Sequence, residues 1–451
     1  MSSCRQGFYT AAELLKRYGE RARVDIVDRL PTPFGLVRSG VAPDHPDTKN
    51  VVNQFTALGR DPRVAFLGNV AVGRDVRLQD LRAYYNAIVL AYGAESNRRL
   101  QVEGEGLRNV FSAREFVWWY NGHPDYRDLP VDLSKVRRVA VLGLGNVAVD
   151  CARMLLQPPA RLAATDVAGH ALAQLSASAV RSVDLIGRRG PVQASFTAKE
   201  LREVLRLPGV RVSFPGGALA PTPADREEMA ASRVRRRIHE IMVAAAAAPQ
   251  PEDAERELRL RFLRSPMALL PAAGDASTVG ALKLEVMRLE ASNGQQCAVG
   301  TSEFETLEAD LVLSSIGYRS EPLEGAPFDA RLGVIPNRAG RVLAADGAGS
   351  EPGMYACGWV KRGPTGIIGT NLFDANETAA AVAEDAAALP HVTAAAPGGA
   401  GLRQALQARG VQVVSFEDWL RIDAAEVARG LALGKPREKL VDVAHMLACC
   451  R

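Results

Sequence analysis

A glycine-rich stretch near the middle of the chain has the residue types and spacing of a dinucleotide-binding loop. Residues 143–150 read GLGNVAVD, follow the apolar run RRVAVLGLG and open the helical pattern NVAVDCARMLL. In this G-x-G-x-x-A pattern, Gly143 allows a tight turn, Gly145 lets a diphosphate approach the backbone, and Ala148 lets the helix pack closely on the strand. Free N–H groups at the helix start bind the diphosphate. The pattern predicts a nucleotide site, and a chance glycine turn is the alternative.

The next strand ends in two arginines, and these indicate which nucleotide the site takes. Arg188 and Arg189 close the run VRSVDLIGRRG, at the place where the adenosine ribose should lie. An acidic residue there selects NAD through the ribose hydroxyls, whereas guanidinium groups suit a 2′-phosphate because its oxygens accept charge-assisted hydrogen bonds. We therefore predict NADP, with two solvated arginines in a turn as the alternative.

The ends of the chain carry features of a second nucleotide site. Asp28 closes the β-rich run RVDIVD and lies 21 residues after Gly7, which matches the acidic residue that binds ribose hydroxyls in such sites. The segment GMYACGWVKRGPTGIIGTNLFDANETA reads as a strand, a loop and a helix that begins near Gly366. The positive end of that helix would point at a ligand, and if the ligand is a flavin ring, it would stabilise negative charge on the reduced ring.

The elements that must position these residues alternate between strands and helices. Strands are predicted at 64–72, 86–93, 309–318 and 353–359 besides those already named, and a helix is predicted over 8–18. This alternation indicates an α/β fold with parallel sheets. Two stretches, 214–256 and 387–401, are rich in Pro, Ala or Gly and are predicted to be solvent-exposed excursions.

Composition places the chain among ordinary globular proteins. It has 451 residues, 47% of them hydrophobic and 24% charged, which is enough for two or more domains. The net charge of +4 does not indicate nucleic-acid binding. The six cysteines show no C-x-x-C spacing, so no metal site and a reducing compartment are expected. No apolar run is long enough to span a membrane. Five basic residues among the first 23 allow a transit-peptide interpretation, which Glu13 and Glu20 oppose.

Several long motifs, in order along nearly the whole chain, resemble one family. From Gly7 to about Asp442, the sequence is similar to adrenodoxin reductase, the mitochondrial-type, FAD-containing ferredoxin–NADP reductase. The stretches that carry the resemblance are PTPFGLVRSGVAPDHPDTKNV, GLGNVAVDCARMLL, GRRGPVQASFTAKELRE, LSSIGYRS, GWVKRGPTG and GKPREKLVD. The resemblance implies two Rossmann-like three-layer nucleotide-binding domains. The FAD domain would be discontinuous, over 1–104 and 321–451, with an NADP domain inserted over 105–320.

The resemblance also implies which residues hold each nucleotide. For FAD, the matching positions are Asp28 at the adenosine ribose, Leu36, Val72, and, near the flavin, Trp359, Gly366, Ile367 and Ile368. For NADP, they are Leu144, Gly145, Asn146 and Val147 at the diphosphate, Arg188 and Arg189 at the 2′-phosphate, Glu200 nearby, and Gly366 where the nicotinamide would meet the flavin. His45 is a candidate catalytic residue at the flavin edge, or else a structural loop histidine.

The reaction that the resemblance implies is electron transfer from NADPH, through FAD, to a small acidic [2Fe–2S] ferredoxin of the adrenodoxin type. Such an enzyme would supply electrons to cytochromes P450 and to iron–sulfur assembly from the matrix side of the inner mitochondrial membrane, as a peripheral protein. Arg202 and three arginines of the predicted helix 231–242, Arg233, Arg236 and Arg237, match the family's docking face. A solvated helix face is the alternative interpretation.

The chain departs from the family at its beginning. Family members start with an apolar strand and a G-x-G-x-x-G loop, but MSSCRQ precedes Gly7, which corresponds to the third glycine. Asp28 also stands where the family usually has Glu. An FAD-deficient, catalytically impaired NADP-binding isoform, or an incomplete gene model, is therefore the alternative to an active reductase. A third interpretation is a related flavoprotein, such as the reductase-like subunit of glutamate synthase.

Overall fold

The computed structural model describes residues 5–217, 219–292, 295–347, 349–364, 368–392 and 398–450. The chain divides into two compact units. The first unit combines the two ends of the chain, 1–98 and 317–451, and the second consists of residues 99–316. Among the described helices, none is both long enough and apolar enough to cross a bilayer.

Strands and helices alternate through most of the chain. In chain order, the strands are β1 (Val24–Val27), β2 (Val64–Leu67), β3 (Ile88–Leu90), β4 (Ser96–Asn97), β5 (Val110–Ser112), β6 (Arg138–Leu142), β7 (Ser182–Ile186), β8 (Val210–Ser213), β9 (Arg256–Arg261), β10 (Arg264–Ala272), β11 (Asp275–Ser292), β12 (Gln295–Glu308), β13 (Leu311–Ser314), β14 (Tyr318–Arg319), β15 (Asn337–Arg338), β16 (Arg341–Leu343) and β17 (Ser350–Ala356). The helices are α1 (Arg5–Tyr18), α2 (Gly35–Ser39), α3 (Val51–Gly59), α4 (Leu78–Leu81), α5 (Ala113–Tyr120), α6 (Asn146–Leu156), α7 (Pro159–Ala163), α8 (Gly169–Ser176), α9 (Ala198–Val204), α10 (Pro223–Ala231), α11 (Arg233–Ala247), α12 (Trp359–Arg362), α13 (Ile368–Glu384), α14 (Gly398–Ala408), α15 (Phe416–Ala432) and α16 (Val443–Ala448).

The second unit is built on a six-stranded parallel sheet in the order β5-β13-β6-β7-β9-β8. Successive residues of β6 point to opposite faces. Val139 and Val141 pack with α5 and α6 in one core, and Ala140 and Leu142 pack in another. The chain leaves β6 for β7 on one side and returns to it as β13 on the other. This reversal is the kind of place where α/β sheets bind nucleotides, at the carboxyl ends of the strands.

An antiparallel sheet of β10, β11 and β12 covers the face of the parallel sheet opposite α5 and α6. Leu282 and Leu284 of β11 lie in the core that includes Ala140 and Leu142. The second unit therefore has three layers, helices, parallel sheet and antiparallel sheet. The parallel sheet and the three layers that the resemblance implies are confirmed, but β10, β11 and β12, which form the third layer, were not among the predicted strands.

The first unit contains three sheets in the part of the chain that the structure describes. β1 and β2 form a parallel pair, β4 and β14 form an antiparallel pair, and a four-stranded sheet has the order β15-β16-β17-β3, with β3 at one edge. Val27, Ile88 and Val89, at the edges of these sheets, are only half buried although they are apolar. α1 begins at Arg5, the first described residue, so no strand or glycine loop among the described residues precedes Gly7.

The core of the first unit is fixed by aromatic rings and one buried ion pair. Phe8 of α1 stacks on Phe55 with ring centroids 5.0 Å apart, and lies 5.2 Å from Phe34. Glu426 of α15 is fully buried and holds Arg38 of α2 through two hydrogen bonds, one of them 2.8 Å long. These contacts join the beginning of the chain to its C-terminal region.

The interpretation of 214–256 as a solvent-exposed excursion is wrong in part. The segment forms α10 and α11, and Ile238 and Met242 of α11 are buried in the core of the second unit. The helical prediction for 231–242 is confirmed from Arg233 onward. In the other segment, 387–401, residues 393–397 lie outside the described residues, and α14 begins at Gly398.

Candidate nucleotide-binding sites

The loop after β6 has the geometry that a dinucleotide diphosphate needs. Gly143 has φ +136°, and a Cβ there would stand 2.3 Å from the carbonyl oxygen of Ser315, so a side chain is excluded. At Gly145 a Cβ would meet only Ser195 Oγ at 3.5 Å, so the backbone is open on that side. Ala148 is fully buried against the core. The three positions thus have the properties that the sequence pattern predicts: a tight turn at Gly143, an open backbone at Gly145 and close packing at Ala148.

The helix that follows begins with free donors. Gly145 is the N-cap residue of α6 and offers no side-chain cap, so the first N–H groups of an 11-residue helix are available to an anion. The side chain of Asn146 does not compete for them, since its Oδ1 accepts a hydrogen bond of 2.8 Å from Thr197 N–H. Leu144 and Val147 flank this start, and Leu144 is 9% exposed.

The arginine pair lies beside this loop. Gly143 N–H donates to the carbonyl of Ile186, and a Cβ on Gly187 would stand 2.1 Å from Leu144, so the ends of β6 and β7 are in contact. Arg188 and Arg189 follow directly and are exposed. No carboxylate of the described residues forms an ion pair with either guanidinium. The residues present therefore fit a diphosphate next to a second phosphate.

Glu200 lies on α9 in the same unit, and its partly exposed carboxylate pairs with a buried arginine. Arg153 is 2% exposed and donates to Asp150 at 2.7 Å and to Glu200 at 3.2 Å. Sequence analysis did not identify Arg153, although its i,i+3 spacing from Asp150 on the predicted helix indicates that the two side chains can form an ion pair. The nearness of Glu200 to a bound nucleotide stays a prediction.

The first unit contains the residues predicted to form a second dinucleotide site. Asp28 follows β1, is fully buried, and accepts a 2.9 Å hydrogen bond from Leu30 N–H. Leu36 is partly exposed within a segment, 31–39, whose other residues are buried, and Val72 is also partly exposed. Ribose contact by Asp28 therefore stays a prediction, because one carboxylate oxygen already serves the turn.

The segment predicted to lie near a flavin forms a hydrogen bond and an ion pair with a residue of α13. Trp359 is partly exposed, and its ring stacks on Tyr318 with centroids 5.3 Å apart. Asp374, a buried residue of α13 that sequence reasoning missed, accepts a hydrogen bond from Gly358 N–H and pairs with Lys361 at 2.7 Å. The helix begins at Ile368, and Gly366 and Ile367 lie outside the described residues.

The fit of this unit to FAD is partial. Gly7 lies within the first turns of α1, and a Cβ there would meet only Ala91 Cβ at 4.0 Å, so neighbouring protein atoms do not require glycine. Gln6, the preceding residue, is buried against Gly358. The positions predicted for the adenosine and flavin ends of a site stay predictions. Among the described residues, no glycine loop that could hold an FAD diphosphate precedes α1.

The remaining predicted residues occupy surface or loop positions. His45 is partly exposed and precedes the 3₁₀ turn Pro46–Asn50. Arg202 lies on α9 and is partly exposed. Arg233, Arg236 and Arg237, hereafter the outer α11 arginines, are all exposed.

Comparisons with known proteins agree with these features. No family model matches the chain. The chain is 50% identical over 449 residues to a protein of Arabidopsis thaliana named NADPH:adrenodoxin oxidoreductase, mitochondrial, with 98% of this chain and 92% of that protein covered. It is 48% identical over 450 residues to the Homo sapiens protein of the same name, with 98% and 89% covered. The solved structure of Mycobacterium tuberculosis FprA in complex with NADPH matches with a TM-score of 0.91 and 38% identity, over 100% of this chain and 98% of that one.

Proposed function

The chain belongs to the family of the NADPH:adrenodoxin oxidoreductases, and from this premise we propose that it transfers electrons from NADPH, through FAD, to a ferredoxin. The observation that carries the proposal is the G-x-G-x-x-A loop of the second unit, open at Gly145 and in contact with the strand end that bears Arg188 and Arg189. The names of the relatives give both the electron donor and the class of acceptor. They do not favour the glutamate synthase type of flavoprotein.

We assign NADPH to the second unit. The diphosphate would lie at Leu144, Gly145, Asn146 and Val147, where the start of α6 offers its N–H groups. Arg188 and Arg189 would hold the 2′-phosphate by charge-assisted hydrogen bonds. The ion pair of Arg153 and Glu200 would fix α6 and α9 around the bound nucleotide.

We assign FAD to the first unit, at Asp28, Leu36, Val72 and Trp359 and at the start of α13, Gly366 to Ile368. When bound, FAD would accept a hydride from NADPH and release electrons singly to an iron–sulfur protein. The protein's part would be to hold the ring near Trp359 and to direct the positive end of α13 at it. His45 would be a candidate proton-handling group of this unit.

The flavin content of the chain tests the active enzyme against the FAD-deficient alternative, which the comparisons do not favour. We expect the purified protein to carry stoichiometric flavin with an absorption band at about 450 nm and to reduce a [2Fe–2S] ferredoxin with NADPH. The measurements are the visible spectrum and ferredoxin-dependent reduction of cytochrome c, with NADH in place of NADPH as the control. A colourless protein without reductase activity, even after incubation with FAD, would contradict the proposal.

The partner that we propose is an acidic [2Fe–2S] ferredoxin of the adrenodoxin type. The outer α11 arginines and Arg202 form exposed positive charge on α11 and α9, which would attract and orient an acidic partner. The eukaryotic relatives are named mitochondrial, and we propose the matrix side of the inner membrane, where the protein would be peripheral.

Charge reversal on α11 tests this docking face. We expect R233E/R236E to lower the rate of association with an acidic ferredoxin about tenfold at low ionic strength, because both side chains would then repel the partner. Stopped-flow kinetics at several salt concentrations measure this rate. Arg161→Glu is the matched control, since Arg161 is exposed on α7, which packs against α8. The rate with ferricyanide, a small acceptor, separates lost docking from lost folding. An equal effect of both variants would count against the docking face.

A further inference from the structure

A third arginine, Arg235, lies on the inward face of α11, the helix that packs against the turn following Arg188 and Arg189. Resting on the proposed use of NADPH, we propose that Arg235 belongs to the 2′-phosphate site, together with Arg188 and Arg189, and contributes to the preference for NADPH over NADH. The outer α11 arginines, by contrast, would serve the protein partner. One helix would then divide its basic residues between two ligands.

The position of Arg235 on the helix separates it from its basic neighbours. Arg235, Ile238, His239 and Met242 are spaced i, i+3, i+4 and i+7, which is the spacing of one helix face. The last three are all buried in the second unit. Arg235 therefore lies on the inward face of α11, one turn before its buried residues, and its side chain is 44% exposed.

That face is fixed to the loop that carries the arginine pair. α11 packs against the 3₁₀ turn Pro191–Gln193, which begins two residues after Arg189. Asp225 of α10 is 3% exposed and accepts hydrogen bonds from Gln193 Nε2 at 2.9 Å and from Gln296 Nε2 at 3.1 Å. The buried carboxylate thus joins the arginine loop, the start of α10 and strand β12.

The positive charges of Arg188 and Arg235 act on Arg189. Partial desolvation comes first among the causes that hold the pKa of Arg189 below its ordinary value, and these two positive charges come next. Guanidinium groups that repel one another in the free protein are stabilised when an anion binds between them. A 2′-phosphate is such an anion, since it carries close to two negative charges at neutral pH. Glu228 forms an ion pair with Arg235 and would keep its side chain oriented before the nucleotide binds. The cluster is therefore a phosphate site by charge as well as by position.

Binding of ligands with and without the 2′-phosphate tests the assignment directly. Isothermal titration calorimetry would compare NADP⁺ with NAD⁺, and 2′,5′-ADP with 5′-ADP, on the full chain and on Arg235→Gln. We expect the Kd for the two phosphorylated ligands to rise about tenfold, the value of one charge-assisted hydrogen bond. The Kd for NAD⁺ and 5′-ADP should not change. Arg161→Gln, which removes one positive charge from an exposed position on α7, should leave all four Kd values unchanged.

Four results would overturn the inference, and each has a different meaning. Equal weakening of NADP⁺ and NAD⁺ would show a general disturbance of the unit, and unchanged binding of all four ligands would show that Arg235 does not reach the phosphate. A loss confined to ferredoxin affinity would place Arg235 with the outer α11 arginines. If the unsubstituted chain itself does not prefer NADP⁺, the proposed function fails as well. Partial recovery in Arg235→Lys, which restores the charge without the guanidinium fork, would support the phosphate contact.

Discussion

Replacing Arg188 and Arg189 together by alanine is expected to lower the preference for NADPH over NADH by a factor on the order of 100 or more. Each guanidinium would donate charge-assisted hydrogen bonds to the 2′-phosphate, and each such contact contributes about 1.5–3 kcal/mol. The binding of NADPH should weaken and that of NADH should not change, because NADH has no 2′-phosphate for these side chains to contact. The ratio of kcat/KM values for the two nucleotides, measured with a small acceptor, gives this preference.

The backbone around the pair makes the result interpretable. The carbonyl oxygens of Gly187 and Arg189 accept hydrogen bonds from Arg264 and Leu263 N–H, at 3.0 and 3.2 Å, so the loop is held by main-chain contacts that alanine preserves. The exposed side chains can be removed without opening a cavity. R188K/R189K is the matched variant and should recover part of the preference through charge alone. If R188A/R189A lost NADH and NADPH activity equally, the pair would be supporting the fold rather than selecting the phosphate.

Local sequence patterns predicted the nucleotide loop of the second unit closely. The run NVAVDCARMLL coincides with α6, Asn146–Leu156, and the strands on either side of it end where the glycines and arginines begin. Glycine spacing, a buried strand and a helix start are all encoded within about 15 residues, so one stretch of sequence contains the evidence. The α/β fold followed from the same alternation of strands and helices.

Features that depend on distant residues were not predictable in this way. β11 and β12 pair with each other over more than ten residues, but their inward leucines could be recognised only once the face of the parallel sheet that they cover was known. Asp225 joins Gln193 and Gln296, which lie 32 and 71 residues away in sequence. Arg235 looked like one of four similar arginines, and only its register with Ile238 and Met242 distinguishes it. In each case the decisive partner is remote in sequence.

The physical role of the C-terminal motif GKPREKLVD, which carries part of the family resemblance, could be identified only from its packing in the structure. Lys439 donates a 3.1 Å hydrogen bond to the carbonyl of Arg38, and Leu440 N–H donates to Glu426 at 2.8 Å. Arg437 donates to Glu426 at 3.3 Å as well. The motif therefore packs on the buried ion pair of Arg38 and Glu426. It adds hydrogen bonds to the Glu426 carboxylate and to the backbone carbonyl of Arg38. This arrangement predicts a large stability effect far from any nucleotide.

Glu426→Gln is expected to lower the free energy of unfolding of the first unit by about 3–5 kcal/mol, because it leaves the charge of Arg38 buried without a counter-charge. Arg38 is 9% exposed and Glu426 is 0% exposed, so water cannot replace the lost partner. Chemical denaturation followed by circular dichroism measures the change. Arg421→Gln, which breaks an exposed pair with Asp418 on the same helix, is the control and should cost less than about 1 kcal/mol. R38M/E426L, with both charges removed, should be more stable than the single variant.

The pH dependence of the same variant gives an independent check with a definite sign. Burial alone would raise the pKa of Glu426, but the charge and hydrogen bonds of Arg38 hold it below its ordinary value of 4.5. A carboxyl group whose pKa is lowered by folding stabilises the protein above its unfolded pKa, and this stability disappears as the pH falls through the folded pKa. The difference in stability between the unsubstituted chain and Glu426→Gln should therefore be constant from pH 6 to 8 (about two units clear of the titration) and should shrink once the pH is below about 4.5. A difference that stayed the same in acid would mean that shape, rather than the ionised carboxylate, stabilises this junction.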